Sequence, residues 1–68
     1  MPSFSPHARK RMTERQITEA DVLSALKRTV GEPRPGDNGN IVVLGYATDG
    51  RILKVVLTPD KQRIISVM

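Results

Sequence analysis

The chain has 68 residues, 11 Lys and Arg against 7 Asp and Glu, a formal charge of +4, no Cys or Trp, and one each of His, Tyr and Phe. That length allows one small domain, because a chain of this size buries only about 60% of the surface it exposes when unfolded. Without Cys and with one His there is no disulfide staple and no tetrahedral zinc site, no apolar run approaches the ~20 residues of a membrane span, and two aromatic rings cannot build a base-stacking sheet.

Taken in order, Ser5-Pro6 supplies an N-cap followed by proline at the first helical position, and residues 6–15 contain no breaker. Ala8 and Met12 share the apolar stripe of that helix, and at 100° per residue His7, Arg11 and Arg15 fall on the adjacent one. Thr18-Glu19-Ala20-Asp21 starts a second helix by reciprocal capping, with Ile17 and Val22 placed as a hydrophobic staple. Glu19 and Asp21 lie at its positive end and Lys27 and Arg28 near its negative end. Val22, Leu23, Leu26 and Val30 form one face, and Gly31 suits a helix terminus, so the helix is expected over 18–30. Residues 31–40, with three Gly and two Pro, read as a loop in which Glu32–Arg34 is a brief edge strand.

The second half is a β half. Residues 41–48 and 51–58 flank Asp49-Gly50, a two-residue hairpin turn that pairs Thr48 with Arg51, Tyr46 with Leu53, Leu44 with Val55 and Val42 with Leu57. That face is expected to pack on the helices. The other face carries Ala47, Gly45, Val43, Ile52, Val56 and Lys54, half in water. Pro59-Asp60 turns the chain into a third strand over 63–68. The expected architecture is α+β: two helices on one face of a three-stranded, or with 32–34 four-stranded, antiparallel meander.

Charge is unevenly spread. Residues 1–15 hold Arg9, Lys10, Arg11 and Arg15 against Glu14, while five basic and four acidic residues follow from Glu32 onward. A cationic helix face of this kind suits an anionic partner, and equally a solvated surface.

The opening His7-Ala8-x-x-Arg11-Met12-x-x-Arg15-x-Ile17 is similar to that of a family of small bacterial domains of unknown function. Gly45-Tyr46-x-x-Asp49-Gly50-Arg51-x-Leu53-x-Val55-Val56-x-Thr58, with Arg63-Ile64-Ile65-Ser66, resembles the same family and the BrnT-type toxins. The wider relatives resemble the RelE/ParE toxins, whose two helices pack on a curved antiparallel sheet. The resemblance implies a bacterial toxin-like domain, RNA as substrate, an antitoxin or other protein as partner, and metal-independent cleavage needing no cofactor. Many RelE-like ribonucleases place a second His or a Tyr on the last strand, and this chain has neither there.

Such cleavage needs a base for the 2′-hydroxyl, an acid for the leaving oxygen and positive charge on the phosphate. His7 is the one side chain that titrates near neutrality unperturbed. Arg11 and Arg15, one and two turns on, present planar forks to phosphate, and Lys54 completes the expected catalytic set. Arg9, Lys10, Arg51 and Arg63 are the expected nucleic-acid contacts. A second proton-transfer group is then required from Tyr46, a carboxylate or a lysine.

The alternative is a non-catalytic interaction module that binds a protein or nucleic acid through the basic helix face and a sheet edge. A homodimer paired across 63–68 would need no ligand. The absence of Cys, of a signal-peptide pattern and of a span fits a cytoplasmic protein with no membrane partner. Against the functional roles stands the possibility that His7 bonds the backbone while Arg11 and Arg15 pair with Glu14, Glu19 or Asp21.

Overall fold

A computed structural model describes residues 2–68. Helix α1 spans Pro6–Arg15 and starts as its sequence dictates, with the Ser5 hydroxyl accepting from the Ala8 N–H and Pro6 in the first turn. The same hydroxyl donates to the Ile65 carbonyl at 2.9 Å, so the cap also fastens the helix to the sheet. At the other end Gln16 adopts φ 56° and ψ 48°, and its N–H reaches the Met12 and Thr13 carbonyls. A side chain in this left-handed region carries a steric cost that glycine avoids. Gln16→Gly is therefore expected to raise stability by about 0.5 kcal/mol, read as a higher urea midpoint. An unchanged or lower midpoint would contradict the assigned helix end.

Helix α2 spans Glu19–Lys27 with both halves of its capping box formed: Asp21 N–H donates to the Thr18 hydroxyl and Thr18 N–H to the Asp21 carboxylate. It ends at Arg28, short of the expected 30. Residues 28–30 instead turn extended against a strand, with Val30 N–H donating to the Leu44 carbonyl at 2.7 Å and Tyr46 N–H to the Arg28 carbonyl at 3.0 Å. Gly31, at φ 72°, redirects the chain after this pairing and does not cap the helix.

The sheet has five strands: β1 (Ser3–Phe4), β2 (Arg34–Pro35), β3 (Ile41–Tyr46), β4 (Ile52–Leu57) and β5 (Arg63–Val67), in the order β1-β5-β4-β3-β2. The central three form the expected antiparallel meander. Two short strands extend it. β2 is the brief edge strand expected in this loop, found at Arg34–Pro35 and not over 32–34, and it pairs with β3; a single 3-10 turn at Asp37–Gly39 leads back from it. β1 pairs parallel to β5, so the sheet is mixed where a purely antiparallel one was expected. Two residues before a helix cap carry no period-2 pattern, and no local signal announces this strand.

The hairpin differs from expectation by one residue. Tyr46 faces Ile52, Gly45 faces Leu53, Leu44 faces Lys54, Val43 faces Val55 and Ile41 faces Leu57. The turn contains three residues, Thr48 to Gly50, closed by Gly50 N–H to the Ala47 carbonyl and Ala47 N–H to the Arg51 carbonyl, with Gly50 at φ 90°. This is the longer of the common hairpin loops, and a one-residue slip turns every side chain of a strand over. Leu53, Val55 and Leu57 of β4 face the helices as expected. On β3 it is Val43 and Gly45, followed by Ala47, that face inward, while Tyr46 stands outside and 41% exposed.

The small residues lie inside because α2 presses there. A Cβ on Gly45 would sit 1.9 Å from the Ala25 carbonyl oxygen, and Ala25 is fully buried. The core fills the single layer between the helices and this face, with Ala8, Val22, Val55, Ile64 and Val67 all sealed from solvent. α1 covers β5 and α2 covers β3 and β4. Among the described residues no element packs on the outer face.

Candidate functional site

The basic stripe and the sheet are related by the run of α1. The helix leaves β5 at Ser5, whose N–H donates to the Ile64 carbonyl, and ends where Arg51, just before β4, reaches the Arg15 and Gln16 carbonyls. It therefore runs alongside β5 in the same direction. Arg9 marks the flank turned toward α2, pairing with Glu19 at 3.3 Å and lying over the Phe4 ring at 5.3 Å from its centroid. Helical period puts His7, Arg11 and Arg15 on the other flank of α1, the helix that packs on β5. His7 and Arg15 are exposed and Arg11 half-buried. Among the described residues none of the three forms an ion pair with a carboxylate.

The outer edge of β5 is only partly covered. β1 pairs with Arg63 and Ile64, and Ser5 reaches as far as the Ile65 carbonyl. Beyond it, the outer edge of β5 at Ser66 and Val67 has no strand beside it among the described residues. Met68 and Lys54 exchange both hydrogen bonds, so at this edge the Val67 N–H and C=O turn outward, on the strand that α1 covers.

The other expected site residues lie elsewhere. Lys54 stands between buried Leu53 and Val55 and so projects from the face opposite the helices. The sheet separates it from His7, Arg11 and Arg15. Arg51, 43% exposed, is largely spent on internal partners: its Nε donates to Asp49 at 2.7 Å and its terminal nitrogens to the Arg15 and Gln16 carbonyls at 3.2 and 3.0 Å. A guanidinium at this point satisfies the last carbonyls of α1 and complements its negative end. Lys10 and Arg63 are exposed, Arg63 at the far end of β5. Tyr46 is on the outer face and is separated by the sheet from His7 as well.

Asp21 carries more than capping. It is 4% exposed and its carboxylate accepts from the Thr18 N–H, the Thr48 N–H and the Thr48 hydroxyl, with an Arg51 nitrogen 3.6 Å away. These donors, the Thr18 N–H and Thr48 hydroxyl foremost, hold its titration well below the ordinary carboxylate range against the opposing effect of burial. Exposed Asp60 is lowered by the Thr58 hydroxyl and the Gln62 N–H. The tie from Asp21 to the hairpin turn spans 27 residues of sequence, and the reading of Asp21 as a cap gave no sign of it.

A second surface emerges on the outer face of the sheet. Arg34, Pro35, Val42, Leu44 and Lys54 line a hollow of about 350 Å³. A neighbouring one of about 400 Å³ shares Pro35, Val42 and Lys54 and continues over Val56 and Met68 to a rim at Asp37 and Asn40. Arg34 has no part in the sequence-based site, because the expected register turned Val42 and Leu44 inward and left no apolar floor beside it.

No group of three or more His, Cys, Asp or Glu side chains among the described residues is placed to hold a metal ion, and no helix is long and apolar enough to cross a membrane. A family model described as "Domain of unknown function (DUF4258)" matches residues 4–68. No curated protein and no solved structure matches the chain.

Proposed function

The chain belongs to the family described as a domain of unknown function, DUF4258, and from that premise we propose that it is a non-catalytic interaction module. Its ligand is an acidic, extended segment of a partner protein that adds to the free edge of β5 and sets carboxylates against Arg11 and Arg15. The likeness of its two sequence patterns to BrnT-type and RelE/ParE toxins is read as a likeness of scaffold.

What supports this reading is that α1, which carries Arg11 and Arg15 without carboxylate partners among the described residues, packs on β5, whose outer edge has no strand beside Ser66 and Val67. Strand addition takes its affinity from main-chain hydrogen bonds and its selectivity from neighbouring side chains, and charge-assisted bonds to guanidinium are among the stronger polar contacts. RNA would use the cations and leave the edge idle. Cleavage would further require a proton-transfer partner for His7, and Lys54 and Tyr46 both stand across the sheet from it.

The test uses the purified full chain, an extended peptide alternating Val and Glu, and a single-stranded RNA of mixed sequence. The peptide is expected to bind, with salt weakening it and Arg11→Glu or Arg15→Glu each lowering affinity about tenfold, roughly one charge-assisted bond. RNA cleavage that disappears in His7→Ala would replace this reading with the ribonuclease one. RNA bound intact and more tightly than the peptide would replace the protein partner with a nucleic acid.

A further inference from the structure

We propose that the outer face of the sheet is a second, separate docking site, and that its occupant is an amphipathic helix of a partner protein with carboxylates flanking its apolar stripe. The argument begins with what this face exposes. Tyr46 and Ile52, 41% and 57% exposed, pair at one end of this face, half-buried Val42 and Val56 pair at the other, and Leu44, Lys54 and Met68, the last 41% exposed, make the row between. In so small a chain the inner face holds the core, and this second apolar surface contributes nothing to it. A contiguous apolar patch framed by charge marks an interaction surface.

The kind of occupant follows from hydrogen bonding. The N–H and C=O groups of β3 and β4 are paired within the ladder, so a segment lying across their face finds few main-chain partners there. A ligand that buries itself on this face must therefore satisfy its own backbone, and an α-helix does so. A helix of about 18 residues is ~27 Å long, no longer than the molecule itself at 29 Å.

Charge selects among helices. Lys54 lines both hollows, and Arg34 lines the first of them. Asp37, on the far rim, is the one carboxylate lining either hollow. A second copy of the chain would bring Lys54 and Arg34 against the same cations, on a molecule already at +4. A partner with Glu or Asp beside its Leu or Val stripe meets opposite charge at both points. The aliphatic floor offers side-chain packing, with Tyr46 the sole ring near it, so stacked bases are the poorer fit.

This site is independent of the β5 edge, and its test separates the two. The probe is a helical peptide of about 18 residues with Leu along one face and Glu on both flanks, titrated into isotopically labelled full chain and followed by amide chemical shifts. Shifts are expected at Val42, Leu44, Lys54, Val56 and Met68, with affinity unchanged in Arg11→Glu. Lys54→Glu, an exposed substitution compatible with folding, is expected to weaken binding about tenfold. A peptide with Lys in place of Glu is expected to bind Lys54→Glu better than it binds the unaltered chain. Shifts confined to α1 and β5, equal binding of the acidic and basic peptides, or no binding would each overturn the proposal. So would sedimentation showing that the free chain self-associates through this face, or preferential binding of single-stranded RNA to it.

Discussion

Gly45→Ala is expected to cost the protein at least about 3 kcal/mol, the upper end of what an inserted methyl costs in a packed core. The new Cβ would lie 1.9 Å from the Ala25 carbonyl oxygen, 2.6 Å from its carbon and 2.8 Å from its Cα. All three are backbone atoms of α2, so no side-chain rotation relieves the contact. The helix would have to retreat by more than 1 Å, and it is pinned at both ends. At its start the Asp21 carboxylate holds the Thr48 N–H. At its end Arg28 and Val30 bond to Tyr46 and Leu44, on either side of Gly45. A domain of this size has a total stability of roughly 3–10 kcal/mol at the usual value per residue, so the loss takes about a third of it or more, and the variant is expected to melt at least about 12 °C below the parent by circular dichroism. Adding Ala25→Gly is expected to give no rescue, since the obstacle is main chain. A Gly45→Ala protein melting within about 5 °C of the parent, a loss near 1 kcal/mol, would show that α2 does not sit where it is placed.

Asp21→Asn is expected to be the next most damaging change, lowering Tm by about 10 °C or more. One carboxylate accepts the Thr18 N–H that closes the cap and both the N–H and hydroxyl of Thr48 in the hairpin turn. An amide of the same shape keeps one acceptor oxygen and turns a donor toward donors. The acid limb carries the same signature. Because the folded-state carboxyl titrates below its unfolded value, its contribution is complete above the ordinary carboxylate pKa and is lost as pH falls below it. Thermal melts between pH 7 and pH 2 are expected to show the parent falling steeply at the acid end and Asp21→Asn falling less. Parallel curves would remove Asp21 as the coupling point. Asp60 contributes in the same sense and is present in both proteins, so the difference isolates Asp21.

Where the sequence was legible, the signals were local and paired with geometry. Ser5-Pro6 and Thr18-x-x-Asp21 name the helix starts because a cap needs only residues three apart. Val, Ile and Leu in alternation name β4 and its inward face. The β3 face was misread because Asp49-Gly50 closes a three-residue turn as readily as a two-residue one, and the difference of a single residue inverts a strand. The correcting signal was present: Gly45 and Ala47 are both small and two apart, as a strand beneath a closely packed helix requires, and Ala25 is their counterpart on α2. β1 was illegible because its partner, β5, lies 60 residues away and its two residues follow no pattern.

The candidate site divides along the same line. The flank shared by His7, Arg11 and Arg15 follows from helical period alone, and their freedom from carboxylates accords with it. Lys54 leaves the outer face, where the alternation of β4 already puts it, and so does not join them, while the role of Arg51 depends on a contact 36 residues away with Arg15. The outer hollows become visible only when register is known.

The pairing of β1 with β5 has a consequence for how the molecule is made. Ser3 bonds to Gln62 and Phe4 aligns with Ile64, so the first strand emerges from the ribosome long before its neighbour exists. α1 rests on that same last strand, and until residue 67 is clear of the exit tunnel Ala8 and Met12 have nothing to lie against. The second helix and the β3–β4 hairpin are complete by residue 57, ten residues before β5 ends, and form the natural seed on which β1, α1 and β5 then close.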